Sequence, residues 1–198
     1  MTVGGGRSSL KLKNEVSPLE GIWERFEEAK VVYERGYVGD ASGQFDGVTT
    51  GQDLSESRSA EKLISDAVAA AKDADCGIFI GGLNKSDHQD SEGNDRESYD
   101  LPYSQNAVIE ALAAANPKLV VVNISGNAVA MPWADKVPGI VQDWYLGSEA
   151  GHSLADVLSG DVNPSGKLPF TIGATLADYP VQSEILYPGI PRKETVKM

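Results

Sequence analysis

Residues that commonly build metal sites and disulfides are scarce in this chain. It contains a single cysteine, Cys76, and two histidines, His88 and His152. One cysteine excludes an internal disulfide framework and a cysteine-based zinc site. The two histidines lie far apart in the sequence and do not form the helical His pair of a zinc site. The sequence therefore predicts no metal ion.

Long apolar runs and an excess of basic residues are also absent. No apolar run reaches the ~20 residues of a transmembrane helix, and the opening Met-Thr-Val-Gly-Gly-Gly lacks the pattern of a signal peptide. Lys and Arg number 17 against 29 Asp and Glu, which gives a net charge of −12. That charge disfavours nucleic acid and anionic membranes as partners. The compartment stays open, and would be periplasmic or secreted if a signal peptide lies outside this segment.

The remaining composition is that of a globular domain. The 198 residues are 41% hydrophobic, enough for one domain with its own core. From about residue 57 to 170, helical patterns alternate with apolar runs at 76–80, 119–124 and 139–144. These runs lack polar alternation, which indicates strands covered on both faces. They predict an α/β fold with a mostly parallel β-sheet sandwiched between helices, and Cys76, which opens the first run, is expected to be buried.

The first part of the chain is less regular. Ser17 and Glu20 form a capping-box pattern around a proline, which predicts a short helix over 18–29. Residues 30–34 are expected to form a strand. Residues 36–56 are rich in Gly, Asp, Ser and Thr and are expected to form a long loop.

Three further helices are expected between and after the strands. The first has an apolar face that comprises Leu63, Ile64, Ala67, Val68 and Ala71. Pro102 is suited to open the second, which ends at Asn116. The third is expected over about 148–158, with Gly160 as its C-cap.

The polar loop after the first apolar run carries the main candidate for chemistry. It contains Glu92 within the string Ser-Glu-Gly-Asn-Asp-Arg at 91–96. Ligands of α/β proteins bind at the C-terminal ends of parallel strands, so Glu92 is placed to act as an acid or base. Asp87, Asp90 and Asp95 share the loop, and composition alone favours a solvated acidic loop.

Other side chains have both a chemical and a structural interpretation. His88 either lines a ligand site or lies in solvent, and His152 falls in a helix where a structural role is expected. Trp133 and Trp144 are able to stack on sugar rings, but both adjoin apolar strands, which favours core packing. The glycines at 4–6 lack the spacing of a phosphate-binding loop, which argues against a flavodoxin-like nucleotide module.

Several strings match one protein family together. They are Gly-Gly-Gly at 4–6, Ser-Pro-Leu-Glu-Gly at 17–21, Ser-Glu-Gly-Asn-Asp-Arg at 91–96, Leu-Pro at 101–102, Asn-Pro at 116–117, Met-Pro-Trp at 131–133, Trp-Tyr-Leu-Gly at 144–147 and Ala-Asp-Val-Leu-Ser-Gly-Asp-Val-Asn-Pro-Ser-Gly-Lys-Leu-Pro at 155–169. With these motifs the chain resembles the C-terminal α/β-sandwich domain of glycoside hydrolase family 3, best known for β-glucosidases. The last string is long and specific, which makes a chance match improbable.

The resemblance implies a role for Glu92. In such enzymes a preceding (β/α)8 barrel carries an aspartate nucleophile, and the second domain supplies the general acid/base, at the position of Glu92. The implied reaction is retaining hydrolysis of terminal non-reducing β-D-glucosyl residues, without a cofactor. Neighbouring acidic residues would raise the pKa of Glu92 and keep it protonated. Arg7, on a turn that approaches the barrel mouth in this family, and His88 are candidates for substrate binding, while Asp95 and Arg96 are expected to pair and shape the loop.

The resemblance also sets the expected domain limits. Residues 1–175 are expected to form the family domain and residues 176–198 an irregular tail. Nothing in the chain resembles the barrel or its nucleophile motif, so we expect a fragment of a larger enzyme that is inactive by itself. The alternative is a non-catalytic carbohydrate-binding or scaffold domain.

Overall fold

The computed structural model describes residues 13–39, 44–45, 48–49, 55–86, 88–91, 95–181 and 183. Within them the chain forms an α/β fold with four α-helices, an open sheet of three parallel strands and a small antiparallel hairpin. The elements in chain order are α1 Pro18–Arg25, β1 Gln44–Phe45, β2 Val48–Thr49, α2 Ala60–Lys72, β3 Gly77–Gly82, α3 Gln105–Ala115, β4 Leu119–Ile124, β5 Gly139–Gln142 and α4 Ala150–Ser159.

The three parallel strands are the three apolar runs of the sequence. Their spatial order is β3-β4-β5, with Gly77 paired to Leu119 and Gly82 to Ile124. Parallel neighbours need a crossover connection, and α3 supplies it between β3 and β4. The predicted fold class is confirmed.

The central strand β4 packs against helices on both faces because successive side chains point to opposite sides. Leu119 and Val121 belong to a core cluster with residues of α2 and α3. Val122 and Ile124 belong to a second cluster with Leu154 of α4. Both clusters exclude water, and each fully buried Val or Leu contributes about 1.5–3 kcal/mol. The predicted placement of the sheet between helices is thus confirmed.

Helix α1 packs on α4 through two glycines. Ser17 caps α1 with the predicted capping box. A Cβ at Gly21 would lie 2.1 Å from the carbonyl oxygen of Gly151, and one at Gly151 would lie 2.1 Å from the carbonyl oxygen of Ser17. Gly151 N donates to Val16 O at 3.1 Å. The two backbones touch, and only glycine allows that distance.

Several expectations about the first half of the chain are wrong. Residues 30–34 form no strand, and Val32 and Tyr33 are each 58% exposed, because no described strand lies beside them to accept their backbone hydrogen bonds. The expected loop at 36–56 includes the hairpin of β1 and β2. Helix α1 ends at Arg25 instead of continuing to residue 29.

Two boundaries near the sheet also differ from expectation. Cys76 is exposed, not buried, because the ladder to β4 begins one residue later, at Gly77. Helix α3 begins at Gln105 and not at Pro102, since Tyr103 and Ser104 have φ of 59° and 58°, which no helix accommodates. By contrast, Gly160 does cap α4 with a φ of 85°, as predicted.

The chain after α4 stays close to the fold as far as it is described. A short 3₁₀ helix spans Leu176–Asp178, and the hydroxyls of Tyr99 and Tyr179 lie 2.9 Å apart. The domain boundary at residue 175 remains a prediction. Among the described residues, no helix combines the length and the apolar character needed to cross a membrane.

Candidate active site

The loop between β3 and α3 leaves the C-terminal edge of the sheet and returns to the same point. Gly82, the last residue of β3, donates its N–H to Gln105 Oε1 at 2.7 Å, and Gln105 Nε2 donates to Gly82 O at 2.8 Å. Gln105 is the first residue of α3 and only 1% exposed. The buried side-chain amide of Gln105 thus joins the two ends of the loop, and both of its polar atoms have hydrogen-bond partners.

A second set of contacts holds the first part of the loop. Tyr103 Oη accepts hydrogen bonds from Gln89 Nε2 at 2.7 Å and from Asn84 Nδ2 at 3.3 Å. Asp90 N donates to Asn84 O at 2.9 Å. These bonds hold Asn84 and Gln89 against Tyr103, in the residues that lead into α3, and join Asp90 to Asn84.

Asp90 joins this loop to the loops that follow β4 and β5. Its carboxylate accepts hydrogen bonds from Gly126 N at 2.6 Å and Asn127 Nδ2 at 2.5 Å. The hydroxyl of Tyr145, in the loop after β5, donates to the same carboxylate. Burial, followed by the hydrogen bond to Asp90, raises the pKa of Tyr145, so this phenol remains a donor at neutral pH. Asp90 therefore ties together all three strand ends of the parallel sheet.

Arg96 fixes the chain on the C-terminal side of Glu92. Its Nη2 donates to Ala128 O at 2.5 Å, and its guanidinium lies 6.0 Å from the centre of the Tyr99 ring. Ser91 Oγ and Arg96 Nη1 are buried and have no hydrogen-bond partner among the described residues. Buried polar groups normally have partners. These two atoms are therefore available for further polar contacts.

The structure describes only part of the predicted site. Glu92, Asp87 and Arg7 lie outside the described residues, and their roles remain predictions. His88 is exposed, has a φ of 60°, and places its Nδ1 3.0 Å from Asp95 O. His88 therefore lies beside Asp95, in the loop for which the sequence predicted a site.

Backbone strain is concentrated in the same loops. Among the described residues, the non-glycine positions with positive φ are His88, Tyr103, Ser104 and Trp144. The first three belong to the loop between β3 and α3, and Trp144 follows β5. Strained φ values cost on the order of 1–3 kcal/mol each and tend to accumulate at functional sites. Their position agrees with a site at the C-terminal edge of the sheet.

The site region contains residues that the sequence analysis did not single out. Asn127 and Tyr145 bind Asp90, but nothing in their local pattern indicates it. Asp143 follows β5 directly, is 6% exposed, and has its pKa raised to about 6 by burial. An acidic residue at the end of an apolar run was a signal that could have identified Asp143.

The tryptophans and His152 have mainly structural surroundings. Trp133 is fully buried and donates its Nε1 to Asn106 Oδ1 at 2.8 Å, so the core position predicted for it is confirmed. Trp144 is half-buried and meets Phe170 edge to face, with ring centres 5.7 Å apart. His152 lies in α4 with its two ring nitrogens 2.7 Å from the carboxylates of Glu149 and Glu24. Among the described residues, no group of three or more His, Cys, Asp or Glu is arranged to hold a metal ion.

Comparison with known proteins identifies the family of this chain. The family profile described as "Glycosyl hydrolase family 3 C-terminal domain" matches residues 1–196. Beta-glucosidase BoGH3A of Bacteroides ovatus is 49% identical over 191 residues, which are 96% of this chain and 25% of that protein. Beta-glucosidase B of Emericella nidulans is 44% identical over 138 residues, which are 69% of this chain and 16% of that protein.

Solved structures give the same result. A family 3 β-glucosidase from Bifidobacterium adolescentis superposes with a TM-score of 0.74 at 31% identity, over 96% of this chain and 27% of that one. A β-glucosidase from Kluyveromyces marxianus in complex with glucose gives a TM-score of 0.61 at 40% identity, over 64% of this chain and 15% of that one. This chain therefore spans about a quarter or less of the length of these relatives. On these grounds the chain belongs to glycosyl hydrolase family 3, as a C-terminal domain of that family.

Proposed function

We propose that this chain is the acid/base-bearing domain of a retaining β-glucosidase-like enzyme, with Glu92 as the general acid/base. The observation that carries the proposal is the pair of anchors on either side of Glu92. Asp90 and Arg96 fix the two ends of this segment at the C-terminal edge of the parallel sheet. The relatives named above, which are β-glucosidases, support the substrate class.

The proposed chemistry needs a second carboxylate from outside this chain. In the first step Glu92 gives a proton to the glycosidic oxygen, while the barrel nucleophile attacks the anomeric carbon and the leaving alcohol departs. In the second step the Glu92 carboxylate takes a proton from water, which attacks the glycosyl-enzyme and frees the nucleophile. Retention requires the two carboxyl groups to stand about 5–5.5 Å apart.

The surroundings of Glu92 in the sequence fit this role. Glu92 must be protonated for the first step and ionised for the second, so its pKa has to lie near the working pH. Asp87, Asp90 and Asp95 lie within five residues of it. Nearby negative charge favours the protonated form of a carboxyl group, and we expect the pKa of Glu92 to be raised accordingly.

Replacement of Glu92 tests this proposal in an enzyme that carries the chain together with its barrel. Glu92→Ala is expected to reduce kcat/KM, which reports the first step, about 10²–10⁴-fold on alkyl β-glucosides, whose leaving groups need protonation. On aryl β-glucosides with acidic phenols the first step should change little, since these groups leave as anions. Steady-state kinetics on both substrates would give the comparison.

Asp75 provides the control for that experiment. It is exposed before β3, at the opposite edge of the sheet, so Asp75→Ala should leave both substrates unaffected. Equal losses of kcat/KM on alkyl and aryl glucosides in Glu92→Ala would contradict the assignment of Glu92 as acid/base.

A further inference from the structure

We propose that Asp90 is a positioning residue for Glu92, and that it acts by fixing the chain two residues before Glu92 to the loops after β4 and β5. This inference rests on the proposed function of Glu92. In this proposal the carboxylate of Asp90 does not react. It determines the position of the Glu92 carboxyl group, which does.

The contacts of Asp90 and Arg96 converge on one short stretch of chain. Asp90 binds residues 126 and 127, and Arg96 binds the carbonyl oxygen of residue 128. Asp90 and Arg96 are six positions apart in the sequence, but together they bind three consecutive residues of the loop after β4. The chain is therefore attached to the same short stretch on both sides of Glu92, two residues before it and four residues after it.

The stretch that receives these contacts is itself held firmly. Ser125 is fully buried, and its Oγ donates to Asn127 O at 2.9 Å. Asn123 Nδ2 donates to Ser125 Oγ at 2.9 Å and to Gln142 Oε1 at 2.7 Å, across the pairing of β4 with β5. Asp90 is thus attached to residues that are themselves hydrogen-bonded to the end of the sheet, as a positioning group requires.

The contacts of Asp90 suit a positioning role better than a role in proton transfer. Gly126 N, Asn127 Nδ2 and Tyr145 Oη all donate to its carboxylate. Three donors occupy the carboxylate and leave little room for a glycosidic oxygen at the same atoms. Hydrogen bonds to an ionised acceptor are also about twice as strong as neutral ones, which makes Asp90 an effective anchor.

Asp90→Asn tests the inference, because it keeps the volume of the side chain but replaces one acceptor with an NH₂ group. We expect kcat/KM on alkyl β-glucosides to fall about 10–100-fold through misplacement of Glu92, with little change in kcat/KM on activated aryl β-glucosides. Tyr145→Phe removes one donor and should give a smaller loss of the same kind. Asp75→Asn, exposed before β3 at the opposite edge of the sheet, is the control and should retain full activity.

A double variant separates positioning from general damage to the fold. If Asp90 acts only through Glu92, then Asp90→Asn should cost almost nothing further once Glu92→Ala is present. An equal loss in the two backgrounds, or equal losses on alkyl and aryl substrates, would overturn the inference. If Asp90→Asn does not fold, as judged by thermal unfolding, the same comparison with Tyr145→Phe decides the matter.

The controls also distinguish failure of this inference from failure of the proposed function. Should Glu92→Ala lose activity selectively on alkyl glucosides while Asp90→Asn and Tyr145→Phe do not, the function stands and the positioning role is wrong. Should Glu92→Ala fail to discriminate between the substrates, the function itself is contradicted.

Discussion

Asp143 is a carboxyl group that follows a buried strand and has almost no contact with solvent. Burial raises its pKa to about 6 from an ordinary value of 3.8. Burial disfavours the charged form, so at neutral pH the folded protein must accommodate a poorly solvated charge. Residues that reduce stability in this way tend to be retained where function needs them, and Asp143 lies at the edge of the sheet that carries the proposed site.

This environment makes stability depend on pH with a defined sign. Between pH 3.8 and about 6 the folded state binds more protons at Asp143 than the unfolded state does. The free energy of unfolding therefore falls as pH rises through this range. Asp143→Asn should increase the free energy of unfolding by on the order of 1–3 kcal/mol at pH 7.5 and by almost nothing at pH 3.5.

Chemical denaturation of the 198-residue chain at the two pH values would measure this effect. Asp135→Asn, at an exposed position before β5, is the control and should change stability little at either pH. Destabilisation by Asp143→Asn at pH 7.5 would mean that the carboxylate is stabilised by contacts and not penalised by burial.

At the scale of elements, the success of the sequence analysis depends on whether a pattern is local. The apolar runs became β3, β4 and β5, and the box at Ser17 caps α1, because burial periodicity and capping are set by neighbouring residues. The expected strand at 30–34 did not form, since a strand needs a partner that no local pattern supplies. The same holds at the site. The Glu92 loop was predicted from its motif. The contacts of Asp90 with Asn127 and Tyr145 could not be predicted, because they join residues 37 and 55 positions apart.

The contact between α1 and α4 gives a prediction about packing. Gly21→Ala would bring a Cβ within 2.1 Å of the Gly151 carbonyl oxygen. Alanine favours a helix by about 0.5–1 kcal/mol over glycine, but a clash between two backbones costs more, typically 1–3 kcal/mol. The net effect on the free energy of unfolding should be a loss.

Gly166→Ala is the matched control for this substitution, because a Cβ there would meet no atom within 4 Å. Both variants can be compared by thermal unfolding of the 198-residue chain. A Gly21→Ala variant that is as stable as the Gly166→Ala variant would show that α1 and α4 can separate without cost.

At the scale of the whole molecule, this chain corresponds to about a quarter of a relative such as BoGH3A of Bacteroides ovatus. The proposed mechanism divides its two carboxyl groups between this domain and the barrel. Each domain would supply one carboxyl group, so the distance between the two groups across the domains would control the rate.

That division predicts that the 198 residues do not hydrolyse β-glucosides by themselves. Without a nucleophile no glycosyl-enzyme can form, and Glu92 alone has no partner across the scissile bond. Release of phenol from an activated aryl β-glucoside, compared with buffer, would measure this. Turnover by the isolated chain would require a second catalytic carboxylate within it.

The central claim concerns Glu92, and azide tests it most directly. In the Glu92→Ala enzyme joined to its barrel, the glycosyl-enzyme should accumulate because no base activates water. Azide needs no such base, so it should attack the intermediate and restore turnover of an aryl β-glucoside. Because two displacements retain configuration, we predict that NMR will identify the product as β-glucosyl azide. An enzyme that azide does not accelerate, or that releases only glucose, would contradict the account.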